Sequence, residues 1–448
     1  MALASSSAVL DVPTLVAQLM SVERRPIDKL NAKVTSYQTK ISSFGTISGL
    51  VSSFQTALQG LKNSLQGYSA TPSDANVFSA TAASTAAAGL YSLNVTKLAQ
   101  AQNLVAVGQA SDISAISSGP STVTFTIAGT PTNITIAAGA TLQGIRDTVN
   151  SANLGVTATI INDGSGTPYR LVLTANETGA GKGISSIAVS GDAAVDGLLK
   201  YGSTGATMTQ SAAAQNAEFT VNGIAITSAS NTVTGAIQGV TLTLKNLTTT
   251  PATLNVARDT NAVSTAAASF VETYNALASE LKSRSAYGST GAAAPVLAGD
   301  NTVRQMLDQL RGIFTTPASG GTLTYLAEVG ISTQAGGSLK LDSSKLGNAL
   351  AGNFGDVANL FASATGFTTR LDAWATSAVK PDGLIDLRTK SLNSSIKGYN
   401  DQISKLEIRM TALQKQYTTT YSNLNMMLSS MNATSTYLTQ QFSKNTTS

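Results

Sequence analysis

Apolar residues recur at alternating steps of four and three near both ends of the chain, and at steps of two through its middle. The first pattern is the seam of paired helices; the second marks a half-buried strand. The N-terminal seam runs Leu30, Val34, Tyr37, Ile41 and Phe44, then shifts to Ile47, Val51, Phe54, Leu58, Leu61 and Leu65. Two successive steps of three meet at Phe44, a stammer that overwinds a coiled coil locally. Gly45, Gly49 and Gly60 lower helix propensity around it, so this is where flexing is expected. The C-terminal seam is longer: Leu392, Ile396, Tyr399, Ile403, Leu406, Met410, Leu413 and Tyr417, continued in register by Leu424, Met427 and Met431 with Thr420 as its polar member. At 1.5 Å per residue this predicts about 60 Å of helix. So narrow a stripe suits a rod packed on a rod, whether inside one chain or between neighbouring copies.

Strands are predicted at Phe78–Ala82 and Tyr91–Val95 with an Ala88-Gly89 turn between them. Others are expected at 121–127, 133–136, 156–161, 170–174 and 186–189, with a hairpin at Asp163-Gly164-Ser165-Gly166. A short helix is expected over 141–152. A second β block falls at 217–221, 224–227, 240–245 and 252–257, after a connection at 202–205. Helices resume behind Asp259-Thr260-Asn261, with a second after Asp300 and a third, carrying Leu346, Leu350, Val357, Leu360 and Phe361, broken near Gly352. The order helix, β, helix requires the chain to go out and come back if its end helices pair. The fold class is therefore α+β: an elongated molecule with a helical stalk and two nested β-rich heads. The expected divisions are terminal legs at 1–45 and 392–448, a stalk at 46–70 and 259–391, one head at 71–110 and 201–258, and a second at 111–200.

Composition narrows the chemistry. The 448 residues are 42% apolar and 12% charged, enough to bury cores. Cysteine and histidine are absent, which removes disulfides, thiolates, imidazole ligands and the commonest proton-transfer group. A formal charge of +4 is a weak field, and Arg24, Arg25 and Lys29, interrupted by Asp28, read as a solvated helix face, so no nucleic-acid partner is expected. The apolar start is broken by Asp11 and Pro13 and lacks a leading basic residue, unlike a cleaved export signal. No apolar run reaches the length of a membrane span, so membrane insertion is not expected either. Gly179-Ala180-Gly181-Lys182-Gly183 misses the phosphate-loop spacing, with Asn176 and Gly183 at required positions, and reads as a turn. Trp374 is expected to anchor a core or an interface. No cofactor, metal site or catalytic residue is assigned.

The stretches Leu10-Asp11-Val12-Pro13-Thr14-Leu15-Val16 and Gln18 to Pro26, with Ser84 to Ser92 and Leu98-Ala99-Gln100-Ala101-Gln102, resemble the flagellar hook-associated protein 2 family of filament caps. Ser269-Phe270-Val271-Glu272-Thr273-Tyr274-Asn275 and Leu341-Asp342-Ser343-Ser344-Lys345-Leu346 resemble its C-terminal half. Thr141 to Arg146, with Val149-Asn150 and Gly155-Val156, is similar to a module shared with flagellins.

The resemblance implies a non-enzymatic structural protein at the distal filament tip. It would leave unfolded through the flagellar export channel and promote flagellin folding and insertion. Its implied partners are itself in a pentamer-like ring, flagellin, hook–filament junction proteins and an export chaperone at the C-terminus. It also implies legs that are partly disordered in the free chain, built on the two seams. The leg and oligomer-packing residues are then Leu30, Val34, Tyr37, Ile41, Phe44, Val51, Ile396, Tyr399, Ile403, Leu406, Met410, Leu413, Tyr417, Leu424, Met427 and Met431. The alternatives are a hook–filament junction protein or minor flagellin, and an adhesin whose β head binds mucin or glycans.

Overall fold

A computed structural model describes residues 10–286 and 294–445. It divides into two compact units, one made of residues 1–65 and 260–448 and the other of residues 66–259.

The first unit opens with α1 (Val12–Glu23) and α2 (Arg25–Ser64). The Asp11 and Pro13 that break the apolar start are a helix beginning: the Asp11 carboxylate accepts from Thr14 N at 3.2 Å, and proline sits in the first turn. Pro26 likewise sits in the first turn of α2, which has no side-chain cap. α2 is unbroken through Phe44 and Gly45. Nothing lies against Gly45, Gly49 or Gly60, while Phe44, Ile47 and Val51 are fully buried.

The chain then enters the second unit through β1 (Tyr68–Pro72), β2 (Phe78–Ala82), β3 (Gly89–Lys97) and β4 (Asn103–Val105). There follow β5 (Ser121–Ile127), β6 (Thr130–Ile136), α3 (Leu142–Ser151), β7 (Val156–Asn162), β8 (Tyr169–Ala175), β9 (Ile184–Ser190), α4 (Ala193–Leu199) and β10 (Thr209–Ala212). The unit ends with β11 (Ala217–Val221), β12 (Ile224–Ser228), β13 (Thr232–Ile237), β14 (Val240–Leu244) and β15 (Ala252–Arg258).

Two cores lie inside this unit. Sheet β1-β15-β3-β11-β12 faces sheet β13-β14-β2 over Phe78, Leu93, Phe219, Leu242 and Leu254. Sheets β10-β4-β8-β7 and β6-β5-β9, with α3 and α4, enclose Phe125, Ile145, Leu171, Leu173 and Leu198. The second core spans Leu104 to Met208, beyond the expected 111–200. The expected Ala88-Gly89 turn is corrected: Gly89 is a strand residue opposite Val256, and β2 pairs with β14, so β2 and β3 belong to different sheets. The strand missed at β13 carries Gly235 and a register shift, which break its alternation.

Back in the first unit come α5 (Thr260–Ser285), α6 (Asn301–Thr315), a 3-10 turn at Leu326–Val329, and the hairpin β16 (Ile331–Thr333) with β17 (Leu339–Leu341). α7 (Ser343–Ala362), α8 (Phe367–Val379) and α9 (Leu384–Asn445) complete it. α7 breaks at Asn353 (φ −153°, ψ 76°), one residue past the expected Gly352. The Asn353 side chain there accepts from Asp356 N at 3.2 Å and recaps the second half. The bundle core joins Phe44, Phe54 and Leu58 of α2 to Phe270 and Tyr274 of α5 and to Phe361, Phe367 and Trp374. Trp374 is buried and donates from Nε1 to Gln309 Oε1 at 3.1 Å.

Candidate assembly surface

α9 changes partner three times along its length. At its root, Arg388 meets Asp300 at 2.8 Å, and the Asp300 side chain is only 2% exposed. The other Asp300 oxygen accepts from Thr302 N at 3.0 Å and caps α6. A buried carboxylate with both oxygens occupied fixes where α9 leaves the bundle. Leu392 closes that core from α9.

Two turns beyond Leu392, α9 lies on α2. Tyr37 and Tyr399 meet with ring centroids 5.6 Å apart, and the Lys33 ammonium sits 5.4 Å over the Tyr399 ring. The Tyr37 hydroxyl beside it raises the Tyr399 phenol above its ordinary range. Tyr37 and Ile41 pack on the bundle core, and Ile396 is half-buried.

Beyond Tyr399 the surroundings become a three-helix cluster. Val12, Val16 and Met20 of α1, Ile27, Leu30 and Val34 of α2, and Ile403, Leu406, Met410, Leu413, Tyr417 and Tyr421 of α9 form one apolar set. Leu10 N donates to Asn425 Oδ1 at 3.2 Å at its far end. Beside it, an open groove of about 580 Å³ runs between Val12, Val16 and Met20 on one wall and Gln414 and Thr418 on the other.

The expected seam needs two corrections. Phe44 and Val51 are fully buried in the bundle core, so they are not surface for a neighbour. Past Tyr417 the packed face of α9 moves to Tyr421 and Asn425, successive steps of four, because α1 lies there. Leu424, Met427 and Met431 are instead 41%, 62% and 62% exposed. α1 was missed as a packing partner, although Val12, Val16 and Met20 repeat at steps of four.

The side chains in the last part of α9 are mostly exposed. Residues 416–443 carry no charged side chain. Met426, Tyr437, Leu438 and Phe442 are 64%, 60%, 48% and 70% exposed, which with Leu424, Met427 and Met431 makes a long uncharged, apolar-studded helix. An isolated helix lacking ion pairs and buried area is marginal in water.

Comparison with known proteins decides the family. Profiles of the flagellar hook-associated protein 2 N-terminus and C-terminus match residues 8–102 and 214–433, and one of the flagellin hook IN motif matches residues 122–177. Flagellar hook-associated protein 2 of Escherichia coli (strain K12) is 35% identical, with 98% of this chain and 97% of that protein covered. The chain belongs to the flagellar hook-associated protein 2 family. A-type flagellar hook-associated protein 2 of Pseudomonas aeruginosa is 32% identical over 97% of this chain and 95% of its own length. Among solved structures, the D1-D2-D3 domains of the flagellar cap protein FliD from Escherichia coli are 36% identical, at a TM-score of 0.68. That match covers 78% of this chain and 99% of that one.

In this member of the hook-associated protein 2 family, the described residues contain no group of three His, Cys, Asp or Glu placed to hold a metal. No described helix is long and apolar enough to cross a membrane. The Gly179–Gly183 run is a turn closed by Lys182 N donating to Gly179 O at 2.9 Å. A Cβ on Gly179 (φ +109°) would lie 2.6 Å from Ala229 Cβ, so the glycine serves loop packing.

Proposed function

We propose that this chain is the structural cap at the distal end of a bacterial flagellar filament, where it promotes flagellin folding and insertion. The near full-length match to hook-associated protein 2 carries this reading. The finer parts follow from the surface of α9. An uncharged helix with an unburied apolar face is suited to pack against other helices, either those of further copies in a ring or those at the filament end. The same helix, before assembly, offers an export chaperone a continuous apolar face. The protein acts outside the cell, at the filament tip, and performs no chemistry there.

The test is a strain lacking the gene. Non-motile cells that shed monomeric flagellin into the medium, rescued by the intact gene, are the expected result. Normal filaments in that strain would overturn the cap reading.

A further inference from the structure

β7 is an edge strand with no guard in its own sequence. Its sequence, Val156-Thr157-Ala158-Thr159-Ile160-Ile161-Asn162, has no charge, no proline and no bulge, and all seven residues stay in register with β8. Such a segment is a template for strand addition by another chain.

The directions of its peptide groups follow from its neighbours. On β8, the Leu171 carbonyl accepts from Ala106 N and Ala175 N donates to Gln102 O, so alternate β8 residues turn away from β7. Their partners Val156, Ala158 and Ile160 therefore turn their own N–H and C=O groups outward, to the open edge. At the centre of that edge the groups are occupied. Asn150, in the last turn of α3, accepts from Ala158 N at 2.7 Å and donates to Ala158 O at 2.9 Å. Its side-chain amide thus stands where the peptide group of an added strand would stand. The outward groups of Ile160 have no partner among the described residues, and Ile161 is 52% exposed.

We propose that Asn150 is an edge plug that keeps β7 from pairing with β7 of a second copy of the chain. The second copy is the fitting occupant because an antiparallel pair centred on Thr159 sets Ala158 of each strand opposite Ile160 of the other. Four outward backbone groups on each strand are then satisfied with no charge opposed to charge. With Asn150 in place, the Ala158 half of every such pairing is already taken.

The chain lacks cysteine, so one introduced thiol reports this pairing cleanly. Thr159 is exposed, and in the paired state the two copies of it would lie about 4.5 Å apart at Cα, within disulfide reach. Full-length T159C and N150A/T159C are treated with diamide, which takes up the two hydrogens as the disulfide forms. Cross-linked dimer is expected about tenfold faster in the N150A background, the weight of one or two hydrogen bonds. Adding Ile160→Pro, which removes an outward N–H, should return the rate to that of T159C. Equal rates with and without Asn150 would overturn the plug. Hydrogen exchange of the unaltered chain tests it without any folding risk: the Ala158 amide should exchange slowly and the Ile160 amide fast. Equal protection of the two would overturn it as well.

Discussion

Asp192 shows how much one side chain holds. One of its oxygens accepts from Ser118 N, Ser118 Oγ and Gly119 N at 2.7, 2.7 and 2.9 Å, and the other from Ala194 N and Val195 N at 2.8 and 3.0 Å. It caps α4 and ties down the loop before β5. The Ser118 hydroxyl, then the Val195 and Gly119 amides, hold its carboxyl well below the usual carboxylate range. A carboxyl lowered in the folded state stabilises that state above its unfolded value, about 3.9, and the contribution is lost as pH falls toward the folded value. Acid should therefore loosen the Leu104–Met208 core from about pH 4 downward. Asp192→Asn should be less stable at neutral pH and lose less between about pH 4 and pH 2, read from methyl resonances of that core. An unchanged acid profile in the variant would remove this role.

At the scale of elements, α2 and α9 each serve two packing environments, and substitutions should separate them. Leu406 and Leu413 belong to the three-helix cluster, apart from the bundle core. Leu406→Asp with Leu413→Asp should abolish motility while leaving the denaturation midpoint of the bundle core near its normal value. Phe54→Ala, at a fully buried position, should cost that core about 3–5 kcal/mol. Intact motility in the leucine double variant would show that the cluster is not needed for capping. These helices were readable in the amino-acid pattern because a four-three seam has few other readings. The register beyond Tyr417 was not, since Leu424 and Tyr421 are both apolar and only the position of α1 chooses between them. The pairing of strands was equally hidden: alternation assigns faces to β2 and β3 but says nothing of which sheet each joins. Asn150 sits in a stretch whose resemblance to a flagellin module was legible, yet its bonds to Ala158 needed the register of β7.

For the whole molecule, the second unit is a nested insertion with cores of its own, so residues 66–259 should fold alone. The expected observation is a cooperative thermal transition of that fragment, with native-like amide protection in β3, β8 and β15. A fragment that stays unfolded would mean that the two cores depend on the helical unit. The first unit has no such independence, because its core is assembled from both sides of the insertion.

The antiparallel pairing of β1 with β15 sets Tyr68 against Arg258, and Asp259 N reaches Gly67 O at 3.2 Å. That closure has a consequence in time. Before it forms, bringing α2 to α5 means closing a loop of roughly 200 residues, an entropic cost of about 4–5 kcal/mol. Once the inserted unit has folded, its two ends stand side by side, and the same encounter becomes almost local. Speed of maturation is then governed by the strands and not by the helices. A chain arriving unfolded at its destination would present finished sheets first and gain its legs last.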